Sequence, residues 1–232
     1  MKKNILLIGG STGIGKEIAE RMASDNNIII ASRNGIQTNK ENIQHLKFDV
    51  LEDDITKLEL PDTLHSFIYC PGSIDLKPFK MLKPEHFEKE MDLNFFGLVR
   101  SLHGVMDKLK NADQASLIFF STVAVKTGMP FHTSVAAAKG AIEGFAKSLA
   151  AEYAPSFRVN VIAPSLTDTP LAEKLLANEE KKKKMDARHP LKRTGTPKDI
   201  AGLATYLISE ESSWMTGQIL GMDGGLSTLN IN

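Results

Sequence analysis

The 232-residue chain carries 28 Lys and Arg against 28 Asp and Glu, and 42% of its residues are hydrophobic. Zero net charge disfavours a nucleic-acid partner, which would call for a basic excess, and a single cysteine, Cys70, excludes an internal disulfide and a multi-cysteine metal site. No apolar run approaches the ~20 residues of a membrane span, and Ile5-Leu6-Leu7-Ile8 is cut by Gly9-Gly10 too soon for a signal-peptide core, so a cytoplasmic protein with no membrane partner is expected.

The first predicted strand, Asn4–Ile8, runs into Gly9-Gly10-Ser11-Thr12-Gly13-Ile14-Gly15 and directly into a helix expected over Gly15–Ser24. Glycines permit the tight turn and let a ligand approach the backbone. The helix start offers free N–H groups and a partial positive charge, which suit a pyrophosphate. The spacing is G-x-x-x-G-x-G, and its strand-before, helix-after setting favours phosphate binding over an ordinary turn. The second strand, Asn27–Ala31, is continuously apolar through Ile28-Ile29-Ile30, as suits a strand covered on both faces. It leads into Ser32-Arg33-Asn34. An acidic residue here would take the ribose 2′-hydroxyl of NAD; Ser32 and Arg33 instead offer a donor and a cation for a 2′-phosphate, so NADP(H) is the expected cofactor.

Further strands are predicted at Leu46–Asp49, Ser66–Tyr69, Ala115–Ser121, Arg158–Ala163 and Gln218–Gly221. Helices are predicted near Asp53–Leu58 and over Pro84–Leu109, Thr133–Ala154, Thr169–Lys184 and Pro197–Ser209. The alternation predicts one α/β domain, a doubly wound parallel sheet of about seven strands with helices on both faces. The run Lys181-Lys182-Lys183-Lys184, after Glu179-Glu180, reads as a solvated helix face.

Several motifs together resemble the short-chain dehydrogenase/reductase family, and they cover essentially the whole chain in the family's order. Gly9-x-x-x-Gly13-x-Gly15 is similar to its cofactor turn, which implies Gly9, Ser11, Thr12, Gly13, Ile14 and Gly15 as cofactor contacts. Asp49-Val50 resembles its adenine-contacting pair, and Pro71-Gly72 stands in its turn after the fourth strand. Asn94 in Asp92-Leu93-Asn94-Phe95-Phe96-Gly97, Ser121, and Lys139 in Ala136-Ala137-Ala138-Lys139-Gly140-Ala141 match its active-site asparagine, serine and lysine. Pro164-Ser165-Leu166-Thr167-Asp168-Thr169 resembles the loop that contacts the nicotinamide, implying contacts from Pro164, Leu166 and Thr169, with Lys139 on the ribose. Pro190–Ile200 and Thr216-Gly217-Gln218…Asp223-Gly224-Gly225 resemble its C-terminal signatures. The resemblance implies a Rossmann-like fold, a small-molecule carbonyl or alcohol substrate, and a homo-oligomer, dimer or tetramer, paired through the helices at Pro84–Leu109 and Thr133–Ala154. The segment Leu166–His189 is expected to form a lid over substrate.

Three positions depart from the family. Tyr69-Cys70-Pro71-Gly72 replaces Asn-Asn-Ala-Gly, Ser165 stands where glycine is usual, and Val135 stands four residues before Lys139, where the family has its catalytic tyrosine. Residues four apart share a helix face. A phenol there is drawn toward phenolate by the lysine charge and exchanges a proton while hydride moves; valine has no such proton. His132, three residues before Val135 on roughly the same face, is the candidate replacement, although a helix entrance also recruits polar side chains as caps. Tyr69 reads as cleft wall, Tyr153 and Tyr206 as packing residues. The remaining histidines show no metal-ligand spacing, and no metal is expected. Two functions stand: an NADP(H)-dependent short-chain oxidoreductase with an altered proton donor, or an NADP(H)-binding sensor or scaffold without redox turnover.

Overall fold

The computed structural model describes residues 2–230. Seven parallel strands form one sheet: β1 (Asn4–Ile8), β2 (Asn27–Ser32), β3 (Ile43–Lys47), β4 (Ser66–Tyr69), β5 (Ala115–Phe120), β6 (Phe157–Pro164) and β7 (Ile219–Met222). Their order is β3-β2-β1-β4-β5-β6-β7. The period-2 alternation of a strand divides the core in two. Leu6 and Ile8 pack on one face with Leu98 and Leu102 of helix α3 (Gly97–Lys110) and Ile142 and Ala146 of α5 (Thr133–Tyr153). Ile5 and Leu7 pack on the other with Ile18 of α1 (Gly13–Met22) and Ile200 and Ala204 of α7 (Pro197–Ile208). The sheet is built outward in both directions from β1 and β4, so the loops leaving their carboxyl ends diverge and open a crevice between them. No helix among the described residues is long and apolar enough to cross a membrane.

The strand expectations hold with shifts of one or two residues at most ends. The exception is β3, which starts three residues before the expected Leu46 and ends at Lys47, so Asp49 follows the strand. It lies at the sheet edge, where partial exposure tolerates Gln44 and His45 and hides the strand from an apolar-run reading.

Two helix expectations are corrected. Pro84–Leu109 is α2 (Pro84–Met91), a π-helical turn (Asp92–Phe96) and α3. The Asn94 side-chain amide donates to the Glu90 carbonyl, the oxygen an α-helix would give to the Asn94 backbone N–H. Thr169–Lys184 is a 3₁₀ turn (Pro170–Leu175) followed, after a break, by α6 (Glu179–Arg188). Asn178 starts α6 afresh by accepting the Lys181 N–H. The lysine run lies on α6, which buries no residue. Asp53–Leu58 holds one 3₁₀ turn (Ile55–Lys57), and a short α4 (Val123–Thr127) follows β5 unannounced by the apolar pattern.

Candidate active site

A cleft of about 890 Å³ opens along the carboxyl ends of the strands. At one end stands the glycine turn. Thr12 precedes α1 without a side-chain cap, and the first turn holds no acidic residue, so its N–H groups face the cleft uncommitted. Gly13 sits at φ +57°, in the left-handed region. Gly15 is required by proximity: a Cβ there would lie 2.5 Å from the Gly10 Cα and 3.0 Å from the Cys70 Sγ. Burial pushes the Cys70 thiol up to about 12, so it stays protonated beside the turn.

Every residue expected to contact cofactor lines this one cleft. The Ser32 hydroxyl, however, donates to the Asn34 carbonyl at 2.8 Å, with His45 Nε2 3.1 Å away. That leaves exposed Arg33 as the uncommitted group at this rim. Asp49 accepts the Leu51 N–H at 3.1 Å through Oδ1 and thereby shapes the loop after β3.

The wall that carries the candidate catalytic residues is made of side chains. Lys139 is 7% exposed. Burial presses its ammonium down to about 8, opposed by the charge of Glu90. Asn94 is fully buried in the π turn, behind the cleft surface rather than on it. Its Nδ2 lies 2.9 Å from both the carbonyl and Oε2 of buried Glu90 and 3.2 Å from Ser73 Oγ. Ser73 Oγ in turn donates to Glu90 Oε2. The Asn94 Oδ1 has no hydrogen-bond partner among the described residues. Both it and the lysine approach Gly72: a Cβ on Gly72 would lie 3.5 Å from Asn94 Oδ1 and 3.5 Å from Lys139 Nζ. Ser73 and Glu90, which hold Asn94, lie outside any motif spacing and were not singled out by the sequence.

Ser121 is 4% exposed, and its hydroxyl donates to Glu143 Oε1 at 2.5 Å. It continues the alternation of Leu117 and Phe119 toward α5, which carries Glu143. The next residue, Thr122, lines the cleft, accepts the Ala124 N–H through Oγ1 and keeps its own proton to donate. It was missed, although a hydroxyl residue opening a short helix is a readable cap. Val135 is buried on the cleft wall one helical turn before Lys139. His132 also lines the cleft; its Nδ1 donates to the Pro130 carbonyl at 2.7 Å. Tyr69 is not wall. It is core, its hydroxyl donating to the Leu93 carbonyl at 2.5 Å, and burial pushes its pKa up. The other half of the cleft is apolar, lined by Ile74, Leu76 and Phe131 and by Leu171, Leu175 and Met185 from Pro170–Leu175 and α6.

This donor set fits a nicotinamide dinucleotide. Uncommitted amides at one end suit a diphosphate, and an unpartnered carbonyl oxygen beside an ammonium at the other suits sugar hydroxyls.

Comparisons agree with the geometry. A family model described as Enoyl-(Acyl carrier protein) reductase matches residues 9–227. The chain is 29% identical over 245 residues to the 3-oxoacyl-[acyl-carrier-protein] reductase FabG of Thermotoga maritima, covering 97% of each. It is 31% identical to a tropinone reductase homolog of Datura stramonium, covering 95% of this chain and 90% of that one. Among solved structures, ligand-free aldohexose dehydrogenase of Thermoplasma acidophilum superposes with a TM-score of 0.90 at 25% identity, over 100% of this chain and 97% of that one.

Proposed function

The chain belongs to the short-chain dehydrogenase/reductase family, and on that premise we propose that it is an NADP(H)-dependent oxidoreductase of a carbonyl or alcohol substrate whose proton comes from a group other than a tyrosine. The observation that carries this reading is that buried Lys139 Nζ and the unpartnered Asn94 Oδ1 both approach Gly72, a residue of the cleft that ends at the uncapped start of α1. The names of the relatives, a 3-oxoacyl-[acyl-carrier-protein] reductase and a tropinone reductase homolog, support a ketone substrate, and the apolar half of the cleft supports an apolar body on it.

When bound, the nicotinamide supplies or accepts a hydride at its ring. The protein does the rest. The first-turn amides of α1 would hold the diphosphate. Arg33 would pair with the 2′-phosphate. Lys139 would hold the ribose hydroxyls, and Asn94 would order a water against its ammonium. Thr122 donates to the substrate oxygen, since the Ser121 proton is committed to Glu143. Val135 has no proton to give, so α5 offers only His132 and a water on Lys139 as routes. The segment Leu166–His189 closes over substrate as a lid, the protein acts in the cytoplasm, and copies associate through α2–α3 and α5.

The test is turnover. Purified protein is titrated with NADPH and NADH by calorimetry and assayed with a carbonyl panel that includes acetoacetyl-N-acetylcysteamine. Tighter NADPH binding with reduction of a panel member supports the reading; NADH preference overturns the role of Arg33. Val135 favours a second reading, a cofactor-binding sensor or scaffold, and bound NADPH with no turnover on any member would select it.

A further inference from the structure

The cleft that Val135 lines also holds a hydroxyl–imidazole pair, its hydroxyl on Ser165, where the family usually has glycine. Ser165 follows β6, and its backbone N–H is fixed by the Met222 carbonyl of β7 at 3.2 Å. Its Oγ lies 2.8 Å from His189 Nε2, while His189 Nδ1 lies 2.9 Å from the Met185 carbonyl on α6. A carbonyl only accepts, so Nδ1 carries a hydrogen. Nε2 therefore accepts the serine proton when the ring is neutral and donates to Oγ when the ring is charged. The ring is 3% exposed. It is also held from the side: a Cβ on Gly224 would lie 3.6 Å from His189 Cβ and 3.7 Å from Cδ2. Both residues line the cleft.

The charged groups on the surrounding elements are engaged elsewhere. Asp186 of α6 accepts the Thr194 N–H, Asp223 accepts the amides of Gly225 and Ser227, and Arg188 reaches Met185 Sδ. Lys184, on the same helix, is exposed at the rim. Nothing in the backbone demands glycine at 165, because its φ is not in the left-handed region.

We infer that Ser165 and His189 form a proton relay serving the substrate oxygen in place of the missing phenol; this rests on the oxidoreductase reading above. In reduction, hydride reaches the carbonyl carbon, the Ser165 hydroxyl gives its proton to the carbonyl oxygen, and the His189 imidazolium gives its Nε2 proton to Ser165 Oγ. The products are the alcohol and a neutral imidazole, which is recharged from solvent through the cleft once product leaves. In oxidation the same two protons run backward. His132 is the weaker relay. It is half-buried at a helix mouth, where water competes, and it has no hydroxyl partner, whereas His189 is fixed at both nitrogens before substrate arrives.

The experiment compares wild type with Ser165→Gly, His189→Gln and His132→Gln in single-turnover reduction of acetoacetyl-N-acetylcysteamine by NADPH. Ser165→Gly and His189→Gln are each expected to slow hydride transfer about a hundredfold with unchanged NADPH affinity. His132→Gln should lose less. The proposal is overturned if both relay variants stay within about threefold of wild type, if their loss tracks lost NADPH binding, or if His132→Gln alone loses rate. A wild type that binds NADPH without turnover rejects the oxidoreductase reading, and the pair is then judged by imidazole ¹⁵N spectra of the NADP⁺ complex. The His189 Nε2 resonance must move on addition of the thioester in wild type and not in Ser165→Gly; an unmoved resonance overturns the relay by itself.

Discussion

The two ends of the cleft are made of different material. The nucleotide end is main chain: glycines at Gly10, Gly13 and Gly15 and the uncapped amides of α1. The end proposed for catalysis is side chain: Lys139, Asn94 held by Glu90 and Ser73, Thr122, and Val135 where the family resemblance places a phenol. A site built of backbone depends on what the side chains leave out, and one built of side chains on each being present. The first therefore fails by gaining a single carbon, and the second changes its chemistry by losing a single hydroxyl while the fold is unaltered.

The most damaging test of that contrast is Gly15→Val. Its Cβ has no room against Gly10, so NADPH affinity should fall by about a hundredfold or more, read by calorimetry. Val135→Tyr sharpens the contrast from the other side. Placing a phenol one turn before Lys139 should raise the reduction rate about a hundredfold and leave NADPH affinity unchanged; an unchanged rate would mean that the missing proton is not what limits the enzyme. Arg33→Ala should weaken NADPH about tenfold and NADH hardly at all, since only the 2′-phosphate is lost.

Lys139→Met separates function from stability. The ammonium titrates near 8 in the folded protein against an ordinary lysine value above 10 when unfolded. The unfolded chain thus binds the proton more tightly between those values, and wild-type stability rises with pH across that window. Removing the buried charge should abolish turnover yet raise Tm at pH 7 by about 3 °C, a gain that shrinks toward pH 10. Asp199→Asn, remote from the cleft, should have the smallest effect. The Arg193 guanidinium and the Thr196 cap hold this carboxyl well below the usual range. Its contribution is present at neutral pH and lost on acidification. Both partners are partly exposed, so the loss should be about 1 kcal/mol, measured by urea unfolding at pH 7.

The sheet was legible because continuous apolar runs such as Ile28-Ile29-Ile30 have few other uses, and the glycine turn because its chemistry is local. What escaped notice depends on geometry that spacing does not encode. The π turn at Asp92–Phe96 leaves the apolar periodicity intact, so only the Asn94 amide on the Glu90 carbonyl betrays it. At the end of β5, Ser121 and Thr122 are neighbours of like chemistry that both line the cleft, and only the Ser121 hydroxyl is engaged by Glu143. Ser165 and His189 lie 24 residues apart and meet only because α6 brings the chain back beside the end of β6. The break before α6 was readable in principle, since Asn178 before Glu179-Glu180 is a helix start; the unbroken charge of that stretch offered no periodicity to set against it.

The Gly10–Gly15 clasp has one more consequence. Amides and glycines carry nothing that ionises, so alkali cannot loosen the grip that this end exerts on a nucleotide. Occupancy measured from neutral to mildly alkaline solution should fall by no more than the lysine's single contact with the ribose, while velocity bends near the lysine's midpoint, so that saturation and speed answer unequally to acidity within a single crevice.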